Sequence, residues 1–196
     1  TERKRPLVFV YELPPEFNAR ALNFRRHDQC VPREFTGDGA THPTSWYYPL
    51  EVMLHEWLLN SEHRTNDPEE ADFFYVPVYS DCYRMLMDDR PGHSTEFGFR
   101  GVATTQMLMA AQAYIAKELP YWDRNGGRDH IWLLGWDEGA CTAPEAIRSS
   151  ILIDHFGALY GSDAVAKTAY GLDSWSPTFP PHIGFDAERI KELFSL

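Results

Sequence analysis

Apolar residues along this chain follow two rhythms: short unbroken runs, and stripes that return every three or four positions. The runs are Leu7 to Tyr11, closed off by Pro14-Pro15, then Asp72 to Val76, His130 to Leu134 and Ser150 to Asp154. Apolar stretches of this length fit strands buried on both faces, and they predict strands over 7–11, 72–76, 130–134 and 150–154. The stripes predict helices. From Tyr47 to Asn60, Leu50, Leu54 and Leu58 recur at four-residue steps with Met53 and Trp57 beside them, an amphipathic pattern. From about Gly101 to Glu118 a segment rich in Met, Ala and Gln, stopped by Pro120, predicts the longest helix. Thr65 to Ala71 offers an N-cap, Pro68 and two glutamates, which predict a very short helix before the second strand. Residues 18–45 read as irregular, Trp122 to Asp129 as a turn, and about Asp186 to Phe194 as a final helix. Apolar runs separated by helices mean an α/β domain with a mostly parallel sheet.

Composition narrows what such a sheet does. The 196 residues carry 18 Lys+Arg against 29 Asp+Glu, a formal charge of −11. That balance excludes a nucleic-acid binder, which needs cations along a phosphate backbone. A chain that is 43% hydrophobic and 14% aromatic buries a sizeable core, and its length suits one domain. No run approaches the roughly 18 apolar residues of a membrane span. The first residue is Thr1, so the chain is expected to be a piece of a longer precursor, with any leader or anchor outside it.

Ligands of open parallel sheets bind beyond the carboxyl ends of the strands. Those ends carry Tyr11-Glu12, Tyr79-Ser80-Asp81-Cys82, Trp136-Asp137-Glu138-Gly139 and Asp154-His155. Aromatic faces stack on the C–H faces of sugars and carboxylates accept from hydroxyls, so this rim suits a carbohydrate. Each residue also has a plainer reading: Glu12 as a loop acid, Asp81 as a turn cap, Asp137 as the cap of its own turn, His130 as a packed histidine. Other chemistries lack their parts. His55-Glu56 is not followed by a second histidine at zinc-protease spacing, because Leu59 stands there. GxSxG, GxGxxG and GxxxxGK[ST] motifs are all missing from the sequence. Cys30, Cys82 and Cys141 are too widely spaced for a metal knuckle. In an oxidising compartment they make one disulfide and one odd thiol. Cys82 and Cys141 each follow a neighbouring strand on the same sheet edge, which makes them the expected close pair.

Four segments together resemble the exostosin family of glycosyltransferases. They are Val8 to Asn18 (VFVYELPPEFN), Arg64 to Tyr79 (RTNDPEEADFFYVPVY), Pro120 to His130 (PYWDRNGGRDH) and Asp137 to Cys141 (DEGAC). Their order and spacing match from about residue 7 to 181, nearest to the plant and algal branch with xylan-type xylosyltransferases. The resemblance implies a GT-B enzyme with two Rossmann-like halves across a cleft. Residues 1–181 would be the N-terminal, acceptor-side half, and 182–196 the crossover toward a donor half outside this chain. It implies an inverting transferase using a nucleotide sugar such as a UDP-sugar and a polysaccharide or glycan acceptor, without metal or other cofactor. It also implies a Golgi-lumenal enzyme on a single-pass anchor, with a paired exostosin-like subunit as a potential partner. Inversion needs a general base on the acceptor side. Asp137 is the first candidate and Asp81 the second, with Glu12, Tyr79, Trp136, Glu138 and His155 lining the substrate and Arg128, Asp129 and His130 bracing the turn. The alternative is a non-catalytic glycan-binding or scaffold domain of such a pair.

Overall fold

The computed structural model describes residues 4–23, 30, 33–35, 41–43, 49–88, 97–135 and 139–154. The first apolar run becomes β1 (Val8–Val10), and a small antiparallel hairpin follows, β2 (Arg33–Phe35) with β3 (Thr41–Pro43). Then come α1 (Leu50–Leu59), β4 (Arg64–Thr65), β5 (Phe73–Tyr75), α2 (Ser80–Asp88), α3 (Phe97–Glu118), β6 (His130–Leu134) and β7 (Ile151–Asp154). Five strands form one sheet in the order β4-β1-β5-β6-β7, every pairing parallel. The four expected strands and the long helix are all present. The architecture is α/β and Rossmann-like.

Both sheet faces are covered, which explains the unbroken apolar runs. Val8, Val10, Tyr75 and Leu133 point to one side, where Leu58 and the half-buried Leu54 of α1 pack on them. The residues between them in the chain point the other way. Tyr11, Phe74, Val76, Trp132 and Leu134 meet Met107, Leu108, Ala111 and Ile115 of α3. Burying each such side chain contributes about 1.5–3 kcal/mol, so this sandwich holds the sheet between its helices.

Four local expectations are corrected. The span 18–45, read as irregular, holds the 3₁₀ helix Ala19–Asn23 and the β2–β3 hairpin. Thr65 to Ala71 is not a helix: Thr65 belongs to β4, and its Oγ1 accepts from the Asp67 amide at 3.0 Å. Asp67 Oδ1 accepts from the Glu69 amide at 3.0 Å, so side chains give the backbone an alternative to helical bonding. Ser80, Asp81 and Cys82, read as a strand end, form the first turn of α2. Cys82 is bonded to Cys30 rather than to Cys141, with the two Cα atoms 5.6 Å apart. Cys82 sits in the first turn of α2, on the side that meets the 3₁₀ helix Ala19–Asn23 and the residue-30 segment, where Cys30, Ala21, Val52 and Tyr79 form one buried cluster. The final helix and the 182–196 segment lie outside the described residues, as does the boundary at 181.

The bridge closes a span of 52 residues, which corresponds to about 4 kcal/mol of lost unfolded-state entropy. Non-reducing peptide mapping should join the Cys30 and Cys82 peptides, and Cys30→Ser should destabilise the domain by about that amount in urea unfolding. Recovery of a Cys82–Cys141 peptide would contradict this pairing.

Candidate functional site

Taking the sheet strands in chain order, the spatial order is 2-1-3-4-5, so the connections diverge between β1 and β5. That divergence is the position where open α/β sheets leave a crevice at their carboxyl edge. Tyr11 to Pro14 emerge from β1 and Val76 to Tyr79 from β5. The two exits are tied together: the Tyr79 amide donates to Phe17 O at 2.8 Å, and Asn18 Nδ2 donates to Pro77 O at 3.2 Å.

Beneath this edge lies Glu51, wholly buried on α1. Its carboxylate accepts from Ser80 Oγ at 2.9 Å and from the Asp81 amide at 3.0 and 3.1 Å. Glu51 thereby caps α2 from another helix, meeting amide groups that the first turn of α2 leaves without intrahelical partners. Asp81, in the same first turn, is equally buried. Burial first, and the neighbouring Asp81 second, hold the Glu51 carboxyl well above its ordinary range against the opposing pull of the amides. Nearby, Tyr79 Oη and His55 Nδ1 share a hydrogen bond of 2.8 Å. Burial, then Arg64, lowers the pKa of His55. Burial and Glu51 raise that of Tyr79.

A second polar chain runs toward the opposite edge. Arg124 Nη2 donates to Asp129 Oδ2 at 3.2 Å, while Asp129 Oδ1 accepts from His130 Nδ1 at 2.9 Å. That bond assigns the proton to Nδ1 and leaves Nε2 to accept from the Tyr11 hydroxyl at 2.8 Å. His130 stacks on Phe74 and Tyr11, with Trp122 edge-on at 4.8 Å. Arg124 covers the Phe74 ring at 4.7 Å. Desolvation lowers the His130 pKa more than Asp129 raises it.

The structure separates the sequence candidates into groups. Glu12 is exposed beside the β1 exit, and Tyr79 and Asp81 are buried at the start of α2. Asp129 and His130 belong to the amino end of β6, away from the rim, and Arg128 is exposed there. Trp136, Asp137, Glu138 and His155 lie outside the described residues, but their flanks are placed. Gly135 follows β6, Gly139 opens a 3₁₀ turn, and Asp154 ends β7. Among the described residues there is no group of three or more His, Cys, Asp or Glu able to hold a metal ion, and no helix long and apolar enough to cross a membrane.

The family model described as "Exostosin GT47 domain" matches residues 2–176. The chain belongs to the exostosin GT47 family. It is 31% identical over 177 residues to "Probable beta-1,4-xylosyltransferase IRX10" of Arabidopsis thaliana, covering 89% of this chain and 37% of that protein. A relative from the same plant, named as a probable glucuronoxylan glucuronosyltransferase, is 29% identical over 165 residues, 78% of this chain and 30% of that one. "Probable glucuronosyltransferase GUT1" of Oryza sativa subsp. japonica is 33% identical over 135 residues, 68% and 26% respectively. The chain thus spans between about a quarter and two fifths of the relatives it matches. No solved structure gives a significant match.

Two contributors to this exostosin domain escaped the sequence reading. Glu51 stands between Leu50 and Val52 on a helix whose apolar stripe was expected to face inward, and an acid in that company was the available signal. Arg124 lay inside the matched Pro120–His130 segment without a distinct pattern of its own. Asp154 was named with His155 at the rim, but without a role of its own.

The two buried titrations have opposite signs. The unfolded Glu51 carboxyl releases its proton near 4.5, while the native one holds it to higher pH, so this contribution to stability is lost as pH rises through the native value. His130, lowered from 6.5, contributes stability above that value, lost as pH falls through its native pKa. Glu51→Gln should therefore gain melting temperature relative to the wild type across the pH range upward from about 4.5. A constant difference across that range would refute the buried-proton assignment.

Proposed function

We propose that this chain is the acceptor-side half of an inverting GT-B glycosyltransferase. It would transfer a sugar from a nucleotide sugar to a polysaccharide or glycan acceptor. The observation that carries the reading is the exostosin match over residues 2–176, with relatives named as glucuronosyl- and xylosyltransferases. Two features of the domain support it. Acids and aromatics gather at the carboxyl edge of a doubly covered parallel sheet, the side on which such folds bind ligands. The Cys30–Cys82 bond suits an oxidising lumen, so we place the working protein on the lumenal side of the Golgi membrane.

In this reading Asp137 accepts the proton of an acceptor hydroxyl. The freed oxygen attacks the anomeric carbon opposite the leaving diphosphate, forming the new glycosidic bond as the bond to the diphosphate breaks and inverting the centre. Groups that stabilise the departing diphosphate belong to the donor half, and the reaction is written without metal or other cofactor. Glu12, Tyr79, Trp136, Glu138 and His155 are assigned to the sugar side of the cleft. Asp81, shut away from solvent with Glu51, serves the base from behind rather than touching the acceptor. A paired subunit of the same family is the proposed protein partner.

Asp137→Asn in the full-length protein keeps shape and acceptor oxygen but takes no proton at neutral pH. Transfer should fall by about 10²–10⁴-fold with the melting temperature unchanged. Near-normal turnover would return Asp137 to a turn cap, because Asn caps as well as Asp. A wild type with no transfer above background would instead favour the glycan-binding alternative.

A further inference from the structure

On the α1 side the cover of the sheet ends at β6. Leu54 and Leu58 of α1 share a cluster with Leu133 and Ile131, and no farther strand joins it. β7 continues the sheet in register, with Ile151 beside Ile131 and Ile153 beside Leu133, so both β7 isoleucines stand on the α1 side. They are 37% and 41% exposed, while Leu152 between them packs into the α3-side core. The neighbouring flank of α1 is open as well. Leu50, Met53 and Trp57 fall at i, i+3 and i+7 in one stripe and are 38%, 40% and 60% exposed. Val52, on the opposite flank, is sealed in the cluster with Ala21 and Cys30. A right-handed crossover from β1 through α1 to β4 turns the open stripe toward β6 and β7. Helix and sheet thus form one apolar trough, walled by α1 and floored by β7.

Parallel sheets are buried on both faces, so this trough calls for a cover. The wiring of the sheet does not supply one. α2 and α3 join β5 to β6 on the other face, and the 3₁₀ turns Gly139–Thr142 and Glu145–Ile147 before β7 also pack on α3. A further right-handed connection outward from β7 would again run on the α3 side. The open strip, two strands wide, is about 10 Å across, the diameter of one helix. We propose that the trough seats an amphipathic α-helix supplied by the part of the full-length polypeptide outside these 196 residues. The relatives leave room for it, since this chain spans only about a quarter to two fifths of their length. Its docking face carries large apolar residues at i, i+3 or i+4 and i+7. Its outer edge carries cations, opposite the exposed Glu56 and suited to a domain of net charge −11. A second copy fits less well, because a standard dimer takes roughly 20–30 residues from each side. This patch offers five exposed apolar side chains. A sugar polymer fits less well again, because among those side chains only the Trp57 indole nitrogen forms hydrogen bonds. Docking here depends on the framework and on no catalytic assignment.

The test is Trp57→p-benzoylphenylalanine, a photo-crosslinking substitution, in the full-length protein. Position 57 is exposed in the domain, so the replacement leaves the core intact. Irradiation and peptide mapping should give a product of monomer mass, at a yield unchanged by dilution, with position 57 joined to a peptide outside residues 1–196. Adding Ile153→Asp puts a charge on the trough floor and should remove most of that product, while the Cys30–Cys82 pairing shows that the domain still folds. Without the crosslinker, Trp57 and Met53 should resist hydroxyl-radical oxidation in the native protein and lose that protection in Ile153→Asp. A product of twice the monomer mass, a link to another protein, or links confined to residues 1–196 would overturn the helix. Free oxidation of Trp57 in the native wild type, or a yield that Ile153→Asp leaves unchanged, would overturn it too.

Discussion

A single buried carboxylate, Glu51, decides how the first half of this domain fits together. It has no access to water, so its oxygens must find donors inside, and the amides at the open end of α2 are the donors available. Meeting them fixes the rotation of α1. With Glu51 and Val52 turned inward, Leu50, Met53 and Trp57 are turned outward, and Trp57 is left 60% exposed. The same contact seats the first turn of α2 under the exit of β5, where Cys82 can meet Cys30. An apolar residue at position 51 would leave those amides unmet, at roughly 1–3 kcal/mol for each that stays buried.

The two edges of the sheet are finished differently. At the amino end of β6, a hydrogen-bonded chain runs from Arg124 through Asp129 and His130 to Tyr11, and the aromatic rings around it exclude solvent. Such a bonded network rigidifies the core on that side. At the carboxyl edge, prolines and acids follow the strands beside the buried Tyr79, and Glu12 faces solvent. A stiff base under an open rim is the division of labour expected when a scaffold presents its chemistry on loops.

What the sequence revealed was what depends on burial periodicity alone. Leu7–Tyr11 and His130–Leu134 are apolar on both faces because helices cover both faces, and the expected strands match the observed ones to within a residue at each end. The stripe from Leu50 to Leu58 gave the helix and the packing of Leu54 and Leu58 on the sheet, but Leu50, Met53 and Trp57 stay exposed because Glu51 and Val52 take the inward side. Thr65 to Ala71 misled in the opposite way: its caps were real, but they close turns between two strands instead of starting a helix. The pairing of Cys82 could not be read from strand order, since its partner lies in a loop with no periodic signal. The rim acids were legible as a group, yet nothing local distinguishes the enclosed Asp81 from an exposed residue such as Glu12.

The Cys30–Cys82 bond also bears on how the protein is made. Both thiols, with the hairpin, α1, β4 and β5 between them, leave the ribosome before β6 does. A secretory compartment can therefore oxidise a half-built sheet, and Cys30 meets Cys82 before Cys141 emerges. Vectorial synthesis and the folded geometry select the same partner, so the correct bridge needs little reshuffling. In a reducing host that early staple is missing, and production of this domain belongs in an oxidising one.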